Sequence, residues 1–298
     1  MKKIAAIDIG SNAVRMLICY VIQSGDQFIF QKNSYLRLPL RLGEDSFKDG
    51  IISSRKIRTL SQALISFKYI MRVHRVDEYQ IYATSALRES KNSLNVISEV
   101  EETSGLKINL INGLKEAIII AKGNPLSKLE FNKTYLYVDV GGGSTEYSIL
   151  RRGEDKKSKS FKIGTVRLLN NTIDPSTIDD IDKWLKSNID QNDKVKLFAT
   201  GGNINKIQTM TGTKTGKPIP YLSVKDLLNS MQEHSYKERM IKYNLNPDRA
   251  DVIIPSLNIF ILTMESVRSN KMFIPKVGLV DGMIKEIFYE KNGYKLDP

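Results

Sequence analysis

Apolar residues recur along this chain at two spacings, every second residue in some stretches and every third or fourth in others, and the two kinds of stretch take turns. That alternation of strand and helix periods predicts an α/β protein. Residues 4–9 and 14–22 are β-rich runs separated by Gly10, Ser11 and Asn12, and they read as two strands joined by a tight turn. Between residues 53 and 74, apolar side chains fall at Ile57, Leu60, Leu64, Phe67 and Met71. This spacing lays one stripe along an amphipathic helix, with Ser53 or Ser54 available as its cap. A short strand at 80–83 leads into a loop rich in Ser, Arg and Asn, followed by a helix at 94–103 that stops at Gly105 and a strand at 107–111. A further helix runs from Gly113 to Lys122, and Gly123, Asn124 and Pro125 break it. The break marks residues 123–133 as the expected domain boundary, giving domains 1–124 and 125–298.

The second half restarts the plan of the first. Residues 134–140 read as a strand, Gly141, Gly142 and Gly143 as a turn, and residues 145–150 as a returning strand, so that strand, glycine turn and strand form an internal repeat. A strand at 195–199, a turn at Gly201 and Gly202 and a helix at 203–210 follow. From Ser223 onward helical patterns dominate, with one short strand at 272–274. The basic run RRGEDKKSKSFK at 151–162 lies between strands and is expected to form a solvated turn.

Length agrees with two domains: 298 residues, 41% of them hydrophobic, exceed the roughly 100–200 that one domain uses. A cleft between them is the expected place for a ligand. Lys and Arg number 45 against 33 Asp and Glu, a formal charge of +12 that suits an anionic partner. Cys19 is the only cysteine, which excludes an intrachain disulfide and a cysteine metal cluster and fits a reducing compartment, so a cytoplasmic location is expected. Asp8 interrupts the apolar start before a signal-peptide core could form, and the apolar stretch 252–264 is shorter than the ~20 residues that span a bilayer. No membrane role is expected. Elements that would read nucleic acid are also missing beside the basic run, and His74 and His234 lie too far apart in the sequence to suggest a histidine metal site.

The strongest chemical signal is the pair of strand–turn segments AAIDIGSNAV (5–14) and YVDVGGGSTEYSI (137–149). Each ends a buried strand on an Asp, and the glycines that follow let the backbone bend so that successive N–H groups can cradle a phosphate. Gly10, Ser11 and Asn12, and Gly141, Gly142, Gly143, Ser144 and Thr145, are the candidate phosphate binders, with the Ser11, Ser144 and Thr145 hydroxyls as added donors. Asp8 and Asp139 repel a phosphate but suit a hard cation such as Mg2+. One such turn alone would be ordinary hairpin chemistry. Two, each opening an expected domain, favour the phosphate reading, and neither fits the nucleotide P-loop or dinucleotide fingerprint because the turn leads into a strand.

The segments AAIDIGSNAVRMLI, RLGEDSFKDG, YATSALRESKN, INGLKEA, YVDVGGGSTEYSIL, IGTVRL, ATGGNINKI and RADVIIP resemble, in order and spacing, the exopolyphosphatase and guanosine pentaphosphate phosphohydrolase (Ppx/GppA) family. The resemblance covers residues 4 to about 284. It implies two actin-like, ribonuclease H-like ATPase-superfamily domains flanking a central cleft, with the two glycine hairpins facing one terminal phosphoryl group. It implies Glu116 as general base, Arg88 as a cleft arginine, Asp139 and Glu146 as ligands of Mg2+ and water, and further phosphate or nucleotide contact at Gly201, Gly202 and Asn203. The implied activity is release of terminal orthophosphate from inorganic polyphosphate, with guanosine pentaphosphate as the alternative substrate and a homodimer as the assembly. Glu146 alternates with Tyr147, so a solvent-facing hairpin residue is the competing reading at that position.

Four positions, in three segments, depart from the family pattern. Lys115 stands where the family carries a second acid, and an ammonium beside Glu116 would lower its pKa and weaken it as a base. Asn203 replaces a Thr or Ser, and Val280 and Asp281 replace Arg and Glu. Longer family members continue into helical domains beyond this length, which gives the expectation that short polyphosphates are preferred here. The fold alone would also serve a sugar or acetate kinase, or a binding protein without turnover.

Overall fold

The computed structural model describes residues 1–25, 27–122, 133–151, 157–190, 192–275 and 277–292. The chain runs β1 (Lys2–Ile9), β2 (Val14–Ser24), β3 (Gln27–Leu38), α1 (Leu42–Lys48), α2 (Ser54–His74), β4 (Glu78–Ala83), α3 (Ser85–Arg88), α4 (Ser93–Ser104), β5 (Asn109–Leu110) and α5 (Gly113–Lys122). It continues through β6 (Thr134–Val140), β7 (Thr145–Leu150), β8 (Lys157–Phe161), α6 (Thr165–Leu169), α7 (Ser176–Asn188), β9 (Val195–Gly201), α8 (Ile204–Met210) and β10 (Ile219–Pro220). The remaining described elements are α9 (Tyr221–Gln232), α10 (Tyr236–Lys242), α11 (Pro247–Ala250), α12 (Ile253–Ser266), β11 (Lys271–Phe273) and α13 (Leu279–Lys291).

Two compact units result: Met1–Pro125 together with Val277–Pro298, and Leu126–Lys276. In the first unit the sheet order is β3-β2-β1-β4-β5, with β1–β2 and β2–β3 antiparallel and β1–β4 and β4–β5 parallel. In the second, the order β8-β7-β6-β9-β11 repeats that arrangement strand for strand and sense for sense, and β10 adds an antiparallel edge. The internal repeat seen in the glycine hairpins thus extends to both whole sheets, and each has the ribonuclease H-like topology of the actin-like ATPase fold.

Period-two alternation divides each central strand between two cores. On one face of the first sheet, Ala5, Ile7 and Ile9 join Val14, Met16 and Ile18 beneath Leu60, Leu64 and Phe67 of α2 and Val96 and Val100 of α4. Each fully buried Leu or Phe there contributes about 1.5–3 kcal/mol. On the other face, Ile4, Ala6, Leu17 and Cys19 pack against Ile119 and Ile120 of α5 and against Val280, Met283, Ile284 and Ile287 of α13. Burial among these groups, reinforced by Asp281, pushes the Cys19 thiol up to about 12 despite Lys32 nearby.

That second core corrects the expected division of the chain. Residues 277–298 belong to the first unit, not the second, because the apolar face of α13 is complementary to α5 and β1. The expected boundary at 123–133 falls almost wholly outside the described residues. Two more corrections concern edge strands. β3 pairs with β2 along its length although its side chains are only partly buried, so it carries no apolar alternation to read. Within the basic run expected to be a solvated turn, residues 152–156 lie outside the described residues, Lys157–Phe161 pairs with β7, and Arg151 Nη2 meets Asp193 Oδ2 at 2.7 Å. Backbone pairing with the β7 edge outweighs the charge of the run. No helix among the described residues is long and apolar enough to cross a membrane.

Gly282 of α13 lies against α5, where an added Cβ would lie 1.9 Å from the Ile119 carbonyl oxygen. Backbone cannot yield as a flexible side chain does. Gly282→Ala is therefore expected to lower the stability of the first unit by about 1–3 kcal/mol or more, measured as an earlier urea-unfolding transition.

Candidate functional site

In the first unit, β1 delivers Asp8 to the hairpin mouth at 2% exposure. Its Oδ2 accepts from Arg15 Nη1 at 2.6 Å, the residue paired with it across β1–β2. The other oxygen, Oδ1, is buried and has no hydrogen-bond partner among the described residues. Burial pushes the Asp8 carboxyl above the usual carboxylate range, against the charge and hydrogen bond of Arg15. A buried carboxylate oxygen left without a donor fits a hard cation.

The turn itself is fastened from behind. Gly10 N–H closes the hairpin on the Ala13 carbonyl at 3.2 Å, while the Ser11 and Asn12 carbonyls accept from Gly43 N at 2.8 Å and Arg41 N at 3.0 Å. Arg41 takes the left-handed conformation that starts α1, with φ 53°. Its own carbonyl is held by the buried Lys56 ammonium, which also pairs with Glu44 at 3.0 Å and Asp45 at 2.9 Å. The segment RLGEDSFKDG is thus the support of the first hairpin.

Contacts lead from this turn to both catalytic candidates. Ser11 Oγ lies 2.9 Å from Ser85 Oγ, Ser85 opens the one-turn helix α3 that ends at Arg88, and Arg88 Nη1 lies 3.8 Å from Glu116 Oε2. Arg88 also donates to the Ile111 carbonyl at 2.8 Å, so it is anchored rather than a solvated loop side chain. Glu116 is 8% exposed on the first turn of α5, and Asn112 caps that turn by accepting from Lys115 N–H at 2.8 Å. The Lys115 ammonium sits over the Tyr82 ring, 4.8 Å from its centroid. Arg88 is thus a cation near Glu116, while the Lys115 ammonium makes a cation–π contact with Tyr82. Tyr82 in turn donates to the buried Glu286 carboxylate at 2.8 Å. Val280 lies in the α5–α13 core, and Asp281 pairs with Lys32 at 2.6 Å and accepts from Gly278 N–H at 2.9 Å.

The second unit builds its hairpin by the same rule. Gly141 N–H closes on the Ser144 carbonyl at 3.0 Å, and the Gly141 and Gly142 carbonyls accept from Thr165 N at 3.0 Å and Val166 N at 2.8 Å. The Gly143 carbonyl accepts from Arg167 Nε at 2.6 Å. With its carbonyls engaged, the loop has N–H groups to offer an anion. The approach of α6 requires Gly164, where an added Cβ would meet the Gly142 carbonyl oxygen at 2.4 Å. Ser144 and Thr145 are buried. Thr145 Oγ1 donates to the Ile163 carbonyl at 2.6 Å, which ties the hairpin to the segment before α6.

Asp139 and Glu146 are direct partners across β6–β7. Glu146 is 3% exposed, which rules out the solvent-facing reading. Asp139 Oδ1 accepts from Thr200 Oγ1 at 2.5 Å, and Glu146 Oε1 accepts from Ser160 Oγ at 2.8 Å. Both carboxylates supply the oxygen-only donor chemistry that Mg2+ takes. Gly201 turns the chain at φ 119°, where an added Cβ would lie 2.4 Å from the Val140 carbonyl oxygen. Gly202 accepts from Arg249 Nη1 at 2.9 Å, and Asn203 begins α8 with its side chain directed to the Val252 carbonyl at 3.4 Å instead of capping the helix. Ser85, Ser160, Arg167 and Thr200 were not singled out by the sequence; Ser85, Arg167 and Thr200 lie inside segments that carry the family resemblance, while Ser160 shows only as one hydroxyl of the alternation Lys157-Ser-Lys-Ser-Phe161.

Comparison with known proteins agrees with this architecture. The bifunctional 3-dehydroquinate synthase/phosphatase of Fusobacterium nucleatum is 30% identical over 274 residues, covering 84% of this chain and 41% of that protein. The guanosine-5'-triphosphate,3'-diphosphate pyrophosphatase of Pseudoalteromonas translucida is 27% identical over 303 residues, covering 95% of this chain and 57% of that one. The chain thus spans about half the length of these relatives. An exopolyphosphatase structure from Cytophaga hutchinsonii superposes with a TM-score of 0.81 at 19% identity, covering 100% of both chains, and shares the fold. The profile of the Ppx/GppA phosphatase family matches residues 20–290, and with that extent of match the chain belongs to the Ppx/GppA phosphatase family.

Proposed function

We propose that this protein is a Mg2+-dependent phosphoanhydride hydrolase that releases terminal orthophosphate from inorganic polyphosphate. The observation that carries the reading is the second hairpin, where a loop whose carbonyls are tied back adjoins two directly paired carboxylates, Glu146 buried and Asp139 half-buried. Loop amides suit phosphoryl oxygens, and the carboxylates suit the cation that accompanies them.

Asp139 and Glu146 would hold the cation in the second unit, and Asp8 is the corresponding carboxylate of the first. When bound, Mg2+ neutralises phosphoryl oxygens and lowers the cost of charge at the leaving group. Glu116 takes the proton of the attacking water, a role for which its buried, anchored position on the first turn of α5 suits it. Arg88 offsets the negative charge of the phosphoryl group, and the N–H groups of each glycine loop fix phosphate oxygens without reorganisation. No base-reading residue enters these roles, so they apply equally to the 5' end of a guanosine polyphosphate. The relative from Pseudoalteromonas translucida, named for such a substrate, favours that as the second reading.

Phosphate release from polyphosphate of defined lengths and from guanosine pentaphosphate, measured in parallel, separates the two. Glu116→Gln is expected to lower kcat by about 10²- to 10⁴-fold with little change in substrate affinity; full activity in that variant would remove Glu116 from the role of base. Chelation with EDTA is expected to abolish release and added Mg2+ to restore it. Release of phosphate from neither substrate would overturn the reading.

A further inference from the structure

Residues paired across neighbouring strands point to the same side of a sheet. In the second sheet, the pairings Thr200↔Asp139, Asp139↔Glu146 and Glu146↔Ser160 place four residues in one row across β9, β6, β7 and β8. The row reads hydroxyl, carboxylate, carboxylate, hydroxyl. Each outer residue donates to the carboxylate beside it: Thr200 Oγ1 to Asp139 Oδ1 at 2.5 Å, and Ser160 Oγ to Glu146 Oε1 at 2.8 Å. Thr200 Oγ1 also lies 3.3 Å from the Val138 carbonyl, but the shorter contact is to the charged acceptor, where a hydroxyl proton is bound more strongly.

Two like charges held side by side repel unless a cation lies between them or their orientations are fixed from outside. Here the fixing comes from strand register: a hydroxyl on each flank takes one oxygen of each carboxylate. Thr200 is buried and β-branched, so its side chain has few alternative rotamers.

We propose that Thr200 and Ser160 are positioning residues that orient Asp139 and Glu146 for a divalent cation. The proposal rests on the cation reading given above. Outer partners of metal-ligating carboxylates change cation affinity by about 10–100-fold when removed, whereas hydroxyls that merely satisfy a buried sheet would change stability and leave cation affinity alone.

The test is binding of Mn2+ alone, without substrate, followed by electron paramagnetic resonance and repeated with Mg2+ by calorimetry. Thr200→Val keeps the shape and removes the donor; Ser160→Ala does the same on the edge strand; Thr200→Ser restores a donor. Folding of each is checked by circular dichroism. Thr200→Val and Ser160→Ala are expected to weaken cation binding about 10–100-fold, and Thr200→Ser to bind within about threefold of the wild type. Should Thr200→Val fail to fold, Ser160→Ala decides. Unchanged cation affinity in a folded Thr200→Val or Ser160→Ala protein overturns the proposal while leaving the cation site standing, as does equal weakening by Thr200→Ser and Thr200→Val. Absence of binding by the wild type, or wild-type binding by Asp139→Asn, overturns the cation reading and the proposal together.

Discussion

A turn that is to receive an anion must keep its carbonyl oxygens from competing, and both hairpins of this protein meet that constraint in the same way. In each, the start of a following helix supplies donors to the turn: Arg41 and Gly43 to Asn12 and Ser11, Thr165 and Val166 to Gly141 and Gly142. Each has a glycine where helix meets turn: an added Cβ at Gly164 would lie 2.4 Å from the Gly142 carbonyl oxygen, and one at Gly43 would crowd Ser11 Cβ at 3.0 Å. Arg167 in the second unit and the Lys56 cluster in the first add charged anchors to these fastenings. The helices α1 and α6 that make these contacts are short, seven and five residues.

Much of this plan was legible along the chain because it is local. The strand, glycine turn and strand pattern occupies about ten consecutive residues, and an Asp before glycines announces both hairpin mouths. The third strand of each sheet was not legible. β3 exposes one side, and β8 alternates Lys with Ser and so presents a period of two without an apolar face. Register was hidden for a related reason: Ser160 and Thr200 acquire their meaning only when four strands are aligned, and their separation of 40 positions conceals a common row.

Local reading also does not show where one charge settles. Lys115 adjoins Glu116 in sequence, yet adjacent residues on a helix point about 100° apart, and the ammonium settles on Tyr82 while Arg88, 28 positions away, approaches the carboxylate. The Tyr82 phenol, pushed up by burial and by its hydrogen bond to Glu286, remains neutral and supplies an intact ring face. Val280, which replaces a cation in the family pattern, is likewise accounted for by the apolar contact between α5 and α13.

The route of the backbone has a further consequence for the order in which the molecule is made. The second unit is a continuous segment, Leu126–Lys276, and all its strands leave the ribosome before α13 does. The first unit begins earlier and finishes later: one of its two cores stays open on Ile4, Ala6 and Leu17 until residues 279–291 arrive to cover them. Contacts of such long sequence separation form slowly, so the unit whose strands are translated earlier is completed only after the whole segment of the other has emerged.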